Sequence, residues 1–264
     1  MPVPPPPPPP PPSLAAPALP AARPVRRLPA ADAHQGVAAG GDALYAIDDS
    51  AIARLDPASG RVVRRWQGDP ARYPHINSCI VRGARLICAA SSYPAVPMWS
   101  RMEVFDAVSL RPLASRRIDG PGSLTWLDWH KGGWWACYAN YDGKGGVPGR
   151  DHAATRLVRY DRHFRETGRW PLPPALLDRL APRSASGGAW GADGLLYMTG
   201  HDRPELYAVR VPATGDRLTL VATIATPTGG QAISWDPRRP RLLWSIDRAG
   251  SAVVASQVPP VAAR

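Results

Sequence analysis

Lysine is almost missing from this sequence. Lys131 and Lys144 are the only two, so the formal net charge of +11 is carried almost entirely by arginine. The arginines are scattered (Arg54, Arg82, Arg111, Arg156, Arg241) and form no block. A nucleic-acid surface needs a stripe or cluster of positive charge, so nucleic acid is set aside as a partner and a dispersed basic surface is expected. Cysteine is scarce too. Three residues, Cys79, Cys88 and Cys137, make no dense disulfide framework. If CIVRGARLIC is a hairpin turning on Gly83-Ala84, Cys79 faces Cys88. A disulfide there is open to an oxidising compartment, but two small buried apolar residues are the expected state.

Long apolar runs are also absent. No stretch approaches the roughly 18 residues of a membrane span. SLAAPALPAA (13–22) is too interrupted by proline for the continuous apolar core of a secretory signal. The chain therefore reads as soluble, without a clear export signal, and as a monomer. HExxH, paired CxxC and GxSxG are missing, which leaves zinc peptidase, thioredoxin-like and α/β-hydrolase chemistry without support. NYDGKGG lacks the spacing and the Ser/Thr of a phosphate-binding loop, so Lys144 is read as loop surface.

Proline, in contrast, is in surplus. Pro4 to Pro12 is unbroken, has no amide donors and favours the polyproline II helix. Residues 1–22 are read as a disordered or semi-rigid leader, with a docking ligand for an SH3-type groove as the alternative. Residues 23–264 are read as one domain.

That domain repeats, and the repeat sets the fold. Five segments open with a polar-small cluster and an apolar strand: HQGVAA (34–39), INSCIV (76–81), GSLTWLDW (122–129), SGGAWG (186–191) and GQAISW (230–235). Each leads through a turn to a second strand, such as ALYAID (43–48) or LLWSID (242–247), and then to a third. Four segments add a fourth strand; the fifth lacks one. Residues 24–29, PVRRLP, resemble those fourth strands and are expected to close the last unit, covering an edge that would otherwise invite association. Short antiparallel strands in units of about 40 residues predict an all-β fold, a five-bladed β-propeller. Six blades is the alternative if unit 122–183 hides another. Within that unit, PPALLDRLAP predicts a short helix opened at Pro173-Pro174 and ended by Pro182.

In such a blade the start of strand one and the end of strand two lie on the same face, the top. Polar and ionisable residues recur there: His34, Gln35, His75, Asn77, Tyr93, Asn140, Asp142, His201, Asp202, Gln231 and Asp247. The turns at the opposite end hold ordinary turn residues. Three meanings compete for this asymmetry. The polar groups satisfy backbone around a wet channel. Alternatively, Asn77, Asn140, Asp142, Asp202 and Asp247 offer oxygen ligands to Ca²⁺ or Mg²⁺. In the third, His201 or His34 works as a proton shuttle beside Asp202 or Glu205. Tyr93, Tyr141 and Trp99 are placed to stack on a sugar or flat ring, or to pack their own loops.

The phrases HINS followed by SSYPAVPM, GSLTW, SGGAWGADGLLYMTGHDRPELY and GQAISWD resemble a family of bacterial β-propeller proteins that carries a loose cycloisomerase label. The family looks distantly like gluconolactonase and quinoprotein-type propellers. The resemblance covers about residues 30–259 and implies a propeller in an extracytoplasmic location. Gluconolactonase-like propellers use a carboxylate/asparagine metal site, and no motif here aligns with it residue by residue. A small-molecule pocket at the top of the ring axis is therefore the expected function, possible as an enzyme with His201 and Asp202 catalytic. A propeller that presents the same loops to a protein or glycan is the rival.

Overall fold

A computed structural model describes residues 19–261, so the proline run lies outside the described residues. Five four-stranded antiparallel sheets make up the ring, with one helix worth the name. Blade 1 contains β2 (Gly36–Ala39), β3 (Leu44–Ile47), β4 (Ala51–Leu55) and β5 (Val62–Gln67). Blade 2 contains β6 (Ile76–Arg82), β7 (Arg85–Ser91), β8 (Ser100–Asp106) and β9 (Pro112–Arg117). Blade 3 contains β10 (Ser123–His130), β11 (Gly133–Ala139), β12 (Arg156–Tyr160) and β13 (Glu166–Pro171). Blade 4 contains β14 (Gly187–Trp190), β15 (Leu196–Thr199), β16 (Glu205–Arg210) and β17 (Thr219–Ala225). Blade 5 takes β18 (Ser234–Trp235), β19 (Leu242–Asp247) and β20 (Ala252–Gln257) from the C-terminal segment and β1 (Arg23–Pro29) from the other end of the chain.

β1 pairs antiparallel with β20, Arg27 opposite Val254, as the PVRRLP pattern predicts. The sixth-blade alternative falls away. Unit 122–183 spends its extra length on the loop 140–155 and on α1 (Pro174–Leu180), which begins after Pro173 and buries Leu176 and Leu180. Ahead of β1, Ala21 bridges Ala225 in parallel, and Ala22 is buried.

Each blade is sandwiched between two others, so its inner strands are covered on both faces. β3 and β11 are buried at every position, which explains why LYAI and GWWACYA read as continuous apolar runs. The two-residue period sends alternate side chains to opposite neighbours. Tyr45 and Ile47 pack towards blade 2, whereas Leu44 and Ala46 pack towards blade 5. The core is accordingly five clusters, one per blade interface. The outermost strands face solvent; β9 is exposed throughout. Cys79 and Cys88 sit opposite each other in β6 and β7, as the hairpin predicts, but they are joined by a disulfide and are not two separate thiols. Antiparallel pairing across a short hairpin brings the two sulfur atoms together.

Candidate ligand site at the ring axis

The floor of the site is built from the point where each first strand begins. In four of the five blades the backbone there departs from regular pairing, and the departure turns a polar side chain to the axis. In blade 1 the amides of His34 and Gln35 both point to the carbonyl of Ile47, so two residues oppose one. In blades 2 and 3 the register slips between Ile76 and Ser78 and between Leu124 and Trp126, leaving Asn77 and Thr125 as the extra residues. Such bulges re-aim side chains. In blade 5 Gln231 has φ +89, a conformation costly for a residue with a β-carbon and held by its surroundings. Its amide donates to Gly200 O at 2.9 Å, and its carbonyl accepts from Thr199 Oγ1 at 2.6 Å. The close approach of these segments requires Gly230, whose β-carbon would lie 1.8 Å from Gly200 O.

Gln35, Asn77, Thr125, Ser186 and Gln231, one from each blade, thereby line a single cavity of about 380 Å³. That volume is within the range of small-molecule sites. The side-chain N–H groups of the three amides, Gln35, Asn77 and Gln231, are turned into the protein. Gln35 Nε2 donates to Asp49 Oδ1 at 2.9 Å, Asn77 Nδ2 to Leu124 O at 2.8 Å, and Gln231 Nε2 to His201 O at 3.3 Å. The amide oxygens of these three residues accept from no donor among the described residues, and all three residues line the cavity.

The walls come from the loops that follow the second strands. Asp49 Oδ1 also meets His75 Nδ1. The Tyr93 ring packs against His75 and Tyr141, with centroids 5.3 and 4.9 Å away. Burial pushes the Tyr141 hydroxyl well above its ordinary pKa, so it stays protonated. Lys144 Nζ lies 5.7 Å from the Tyr93 ring centre. His201 lines the cavity, and its Nδ1 meets Asp202 Oδ1. Arg248 Nη1 approaches His201 Nε2 at 3.5 Å. A guanidinium can only donate, so Nε2 is the acceptor in this contact, and Nδ1 is the atom that meets the carboxylate.

Solved structures share this architecture. The neighbours are β-propeller proteins. An aldose sugar dehydrogenase from Streptomyces coelicolor, in its PQQ-bound form, is similar with a TM-score of 0.57 and 11% identity, over 93% of this chain and 100% of that one. A luciferin-regenerating enzyme is similar with a TM-score of 0.52 and 11% identity, over 90% of this chain and 95% of that one. At such identity the likeness concerns the fold. No protein-family profile and no curated protein matches the sequence. The cycloisomerase label finds no support in these comparisons.

Of the candidates named from this propeller's sequence, Gln35, His75, Asn77, Tyr93, His201 and Gln231 line the cavity. Five others lie outside its lining, among them Asp202, which reaches it only through His201. His34 Nδ1 faces Asp48 Oδ2 at 3.3 Å. Asn140 is buried scaffolding: its amide donates to Pro121 O and Ala154 O and accepts from Val147 N. Asp142 holds His152 on the outer loop, and that side-chain hydrogen bond keeps its carboxyl below the usual range. Asp247 accepts from Gly250 N and pairs with Arg27 at 2.7 Å, both of which lower its pKa; it fastens β1 to blade 5. Glu205 is likewise engaged, by Arg179 and by the Tyr207 hydroxyl.

These pairings bear on a divalent cation. Asp142, Asp202 and Asp247 point to separate partners, and among the described residues no three His, Cys, Asp or Glu side chains are grouped to hold a metal ion. Asp49 is the one carboxylate lining the cavity, beside Lys144, Arg183 and Arg248. That donor set does not fit an ion that requires several oxygen ligands and little competing positive charge.

Arg183 and Arg248 were not singled out from sequence, and Lys144 was read as surface. The available signal was that Lys144 is one of only two lysines and stands in a glycine-rich top loop. A larger groove of about 790 Å³ opens at the opposite end, among the turns that join first and second strands. Its carboxylates hold those turns: Asp193 binds Arg241 and Tyr197, and Asp236 binds Trp244. Convergence of all five blades favours the axial cavity.

Proposed function

We propose that the protein binds a small, polar, sugar- or lactone-like molecule in the axial cavity. The observation that carries this reading is the floor of five neutral polar side chains, one from each blade, with three amide oxygens left to accept. Four of the five positions have been turned inward by bulges or by a left-handed backbone, which regular strands would not do. Hydroxyl donors on a ligand complement such a floor, and the Tyr93 face supplies an apolar wall.

The test is a thermal-shift and calorimetric screen of sugars, sugar acids and lactones against the full chain, repeated on Gln231→Leu and Asn77→Leu. Each substitution removes an acceptor at nearly constant size. Binding weakened about tenfold or more in either variant, with melting temperature held within a few degrees, is the expected result. A hit indifferent to both changes would place the ligand elsewhere.

His201 beside Asp202 supports an enzymatic version of the same reading. With Nδ1 held by the carboxylate, Nε2 is the atom that would take a proton from a hydroxyl or water in a lactone-forming or lactone-opening step. His201→Ala should then abolish turnover of a bound lactone while leaving its binding within a few-fold. A protein- or glycan-docking surface built on exposed aromatics has less in its favour, since Tyr93 packs against His75 and Tyr141, and Arg101 covers Trp99 at 4.1 Å. The Cys79–Cys88 disulfide supports an oxidising, extracytoplasmic setting.

A further inference from the structure

Charge around the axial cavity is uneven. Lys144, Arg183 and Arg248 line it with a single carboxylate, Asp49. Asp49 is already engaged by His75 and Gln35. Lys144 and Arg248 form no salt bridge among the described residues, and Arg183 reaches Asp202 only at 3.8 Å through Nε. Asp202 is shared with His201. The three cations come from the blade 3 loop, the connection into blade 4 and the blade 5 loop, so they line the opening along the arc of blades 3 to 5. A concave site lined by one sign of charge focuses the field and raises the local concentration of counter-ions.

Beneath the cations lies the opposite polarity. The amide oxygens of Gln35, Asn77 and Gln231 present only acceptors. A neutral sugar would suit the floor and leave the cations unpaired. A metal cation would suit the floor and be repelled by the rim. A bare anion would pair with the rim and face carbonyl oxygens below. We propose that the ligand is a polyhydroxylated acid, its hydroxyls donating to the floor and its anionic group held among Lys144, Arg183 and Arg248. This proposal rests on the axial cavity being the binding site. Carboxylate and phosphate share the required chemistry, through charge-assisted hydrogen bonds from guanidinium and ammonium groups.

The experiment is calorimetry on the full chain with D-gluconate, glucose 6-phosphate and D-glucose, at low and at physiological ionic strength. One of the two acids is expected to bind about tenfold or more tightly than glucose, with an advantage that shrinks as salt rises. Preference for gluconate assigns a carboxylate; preference for glucose 6-phosphate assigns a phosphate. Lys144→Gln combined with Arg248→Gln changes two exposed side chains and should erase the advantage without lowering the melting temperature. Equal binding of all three probes, or an advantage that survives the double variant, overturns the anionic class and leaves the cavity as the site. Acid binding that is unchanged in both Gln231→Leu and Asn77→Leu overturns the cavity reading itself. If none of the three binds, the anionic class fails, and the wider screen on the same leucine variants judges the cavity independently.

Discussion

Asp128 shows how far one residue's surroundings can move its chemistry. It lies half-buried in β10, accepting from the backbone N–H of Trp129 at 2.7 Å and of Trp190 at 2.9 Å. Desolvation raises its pKa from 3.8 to about 6, against the opposing pull of those two hydrogen bonds. In the unfolded chain the group ionises near its ordinary value. Between about pH 4 and pH 6 the folded state therefore binds more protons, and stability falls as pH rises through that window. The loss is complete above about pH 6. Denaturant unfolding across this range should show a decline on the order of 2–3 kcal/mol that is missing in Asp128→Asn. The same decline in the variant would assign it to another group. The variant also loses one acceptor, which shifts its whole curve by a constant amount. At this scale the sequence was only partly legible. It named Gln35, Asn77 and Gln231 as polar residues at strand starts. It could not show that Asn77 and Thr125 occupy bulges or that Gln231 takes φ +89, because those conformations are imposed by neighbouring strands. The same limit applies to Asp142 and Asp247, whose partners His152 and Arg27 are fixed by loop paths and by ring closure.

At the scale of elements, strand pairing was legible because its period is two and its turns are marked by glycine and proline. The hairpin β6–β7 illustrates both the success and the miss. The turn at Gly83-Ala84 fixes the register that sets Cys79 opposite Cys88. Whether facing cysteines bond depends on atomic distance, which pattern alone does not give. Titration of the unfolded, unreduced protein should find one thiol, Cys137, whose burial in the fold pushes it up to about 12. Three thiols would refute the disulfide. Replacing both Cys79 and Cys88 by alanine should cost about 2–3 kcal/mol in urea unfolding, mainly through the loop it frees in the unfolded chain. Elements also show how blades are tied to one another. The Asp128 carboxylate joins β10 to β14, and the Ser234 hydroxyl accepts from the Ala39 amide, linking blade 5 to blade 1.

At the scale of the whole molecule, closure is the decisive feature. β1 fills the outer position of blade 5 beside β20, and the Arg27–Asp247 pair ties it to the end of β19. Leu28 packs into the core between blades 5 and 1. Deletion of residues 1–29 removes that strand, uncovers the edge of β20 and takes one side from the interface. The expected outcome is a lower melting temperature and concentration-dependent association, read by calorimetry and size-exclusion chromatography. A truncated protein that melts and elutes like the full chain would show that β1 adds nothing to closure.

The sequence by itself determined the propeller repeat, the strand order within each unit and the end of the ring at which polar residues gather, while the tertiary structure decided for five blades over six. The first three follow from repeat spacing and two-residue periodicity, which are local properties of a chain. Only the tertiary structure decided which polar residues share a cavity. The site residues come from five blades and the connection between two of them, from Gln35 to Arg248, and their spacing in the chain carries no information about distance across the axis. It also decided that Lys144, Arg183 and Arg248 line one opening while Asp142 and Asp247 are spent elsewhere. Electrostatic character is a sum over neighbours in space, and in this ring most of those neighbours are distant in sequence.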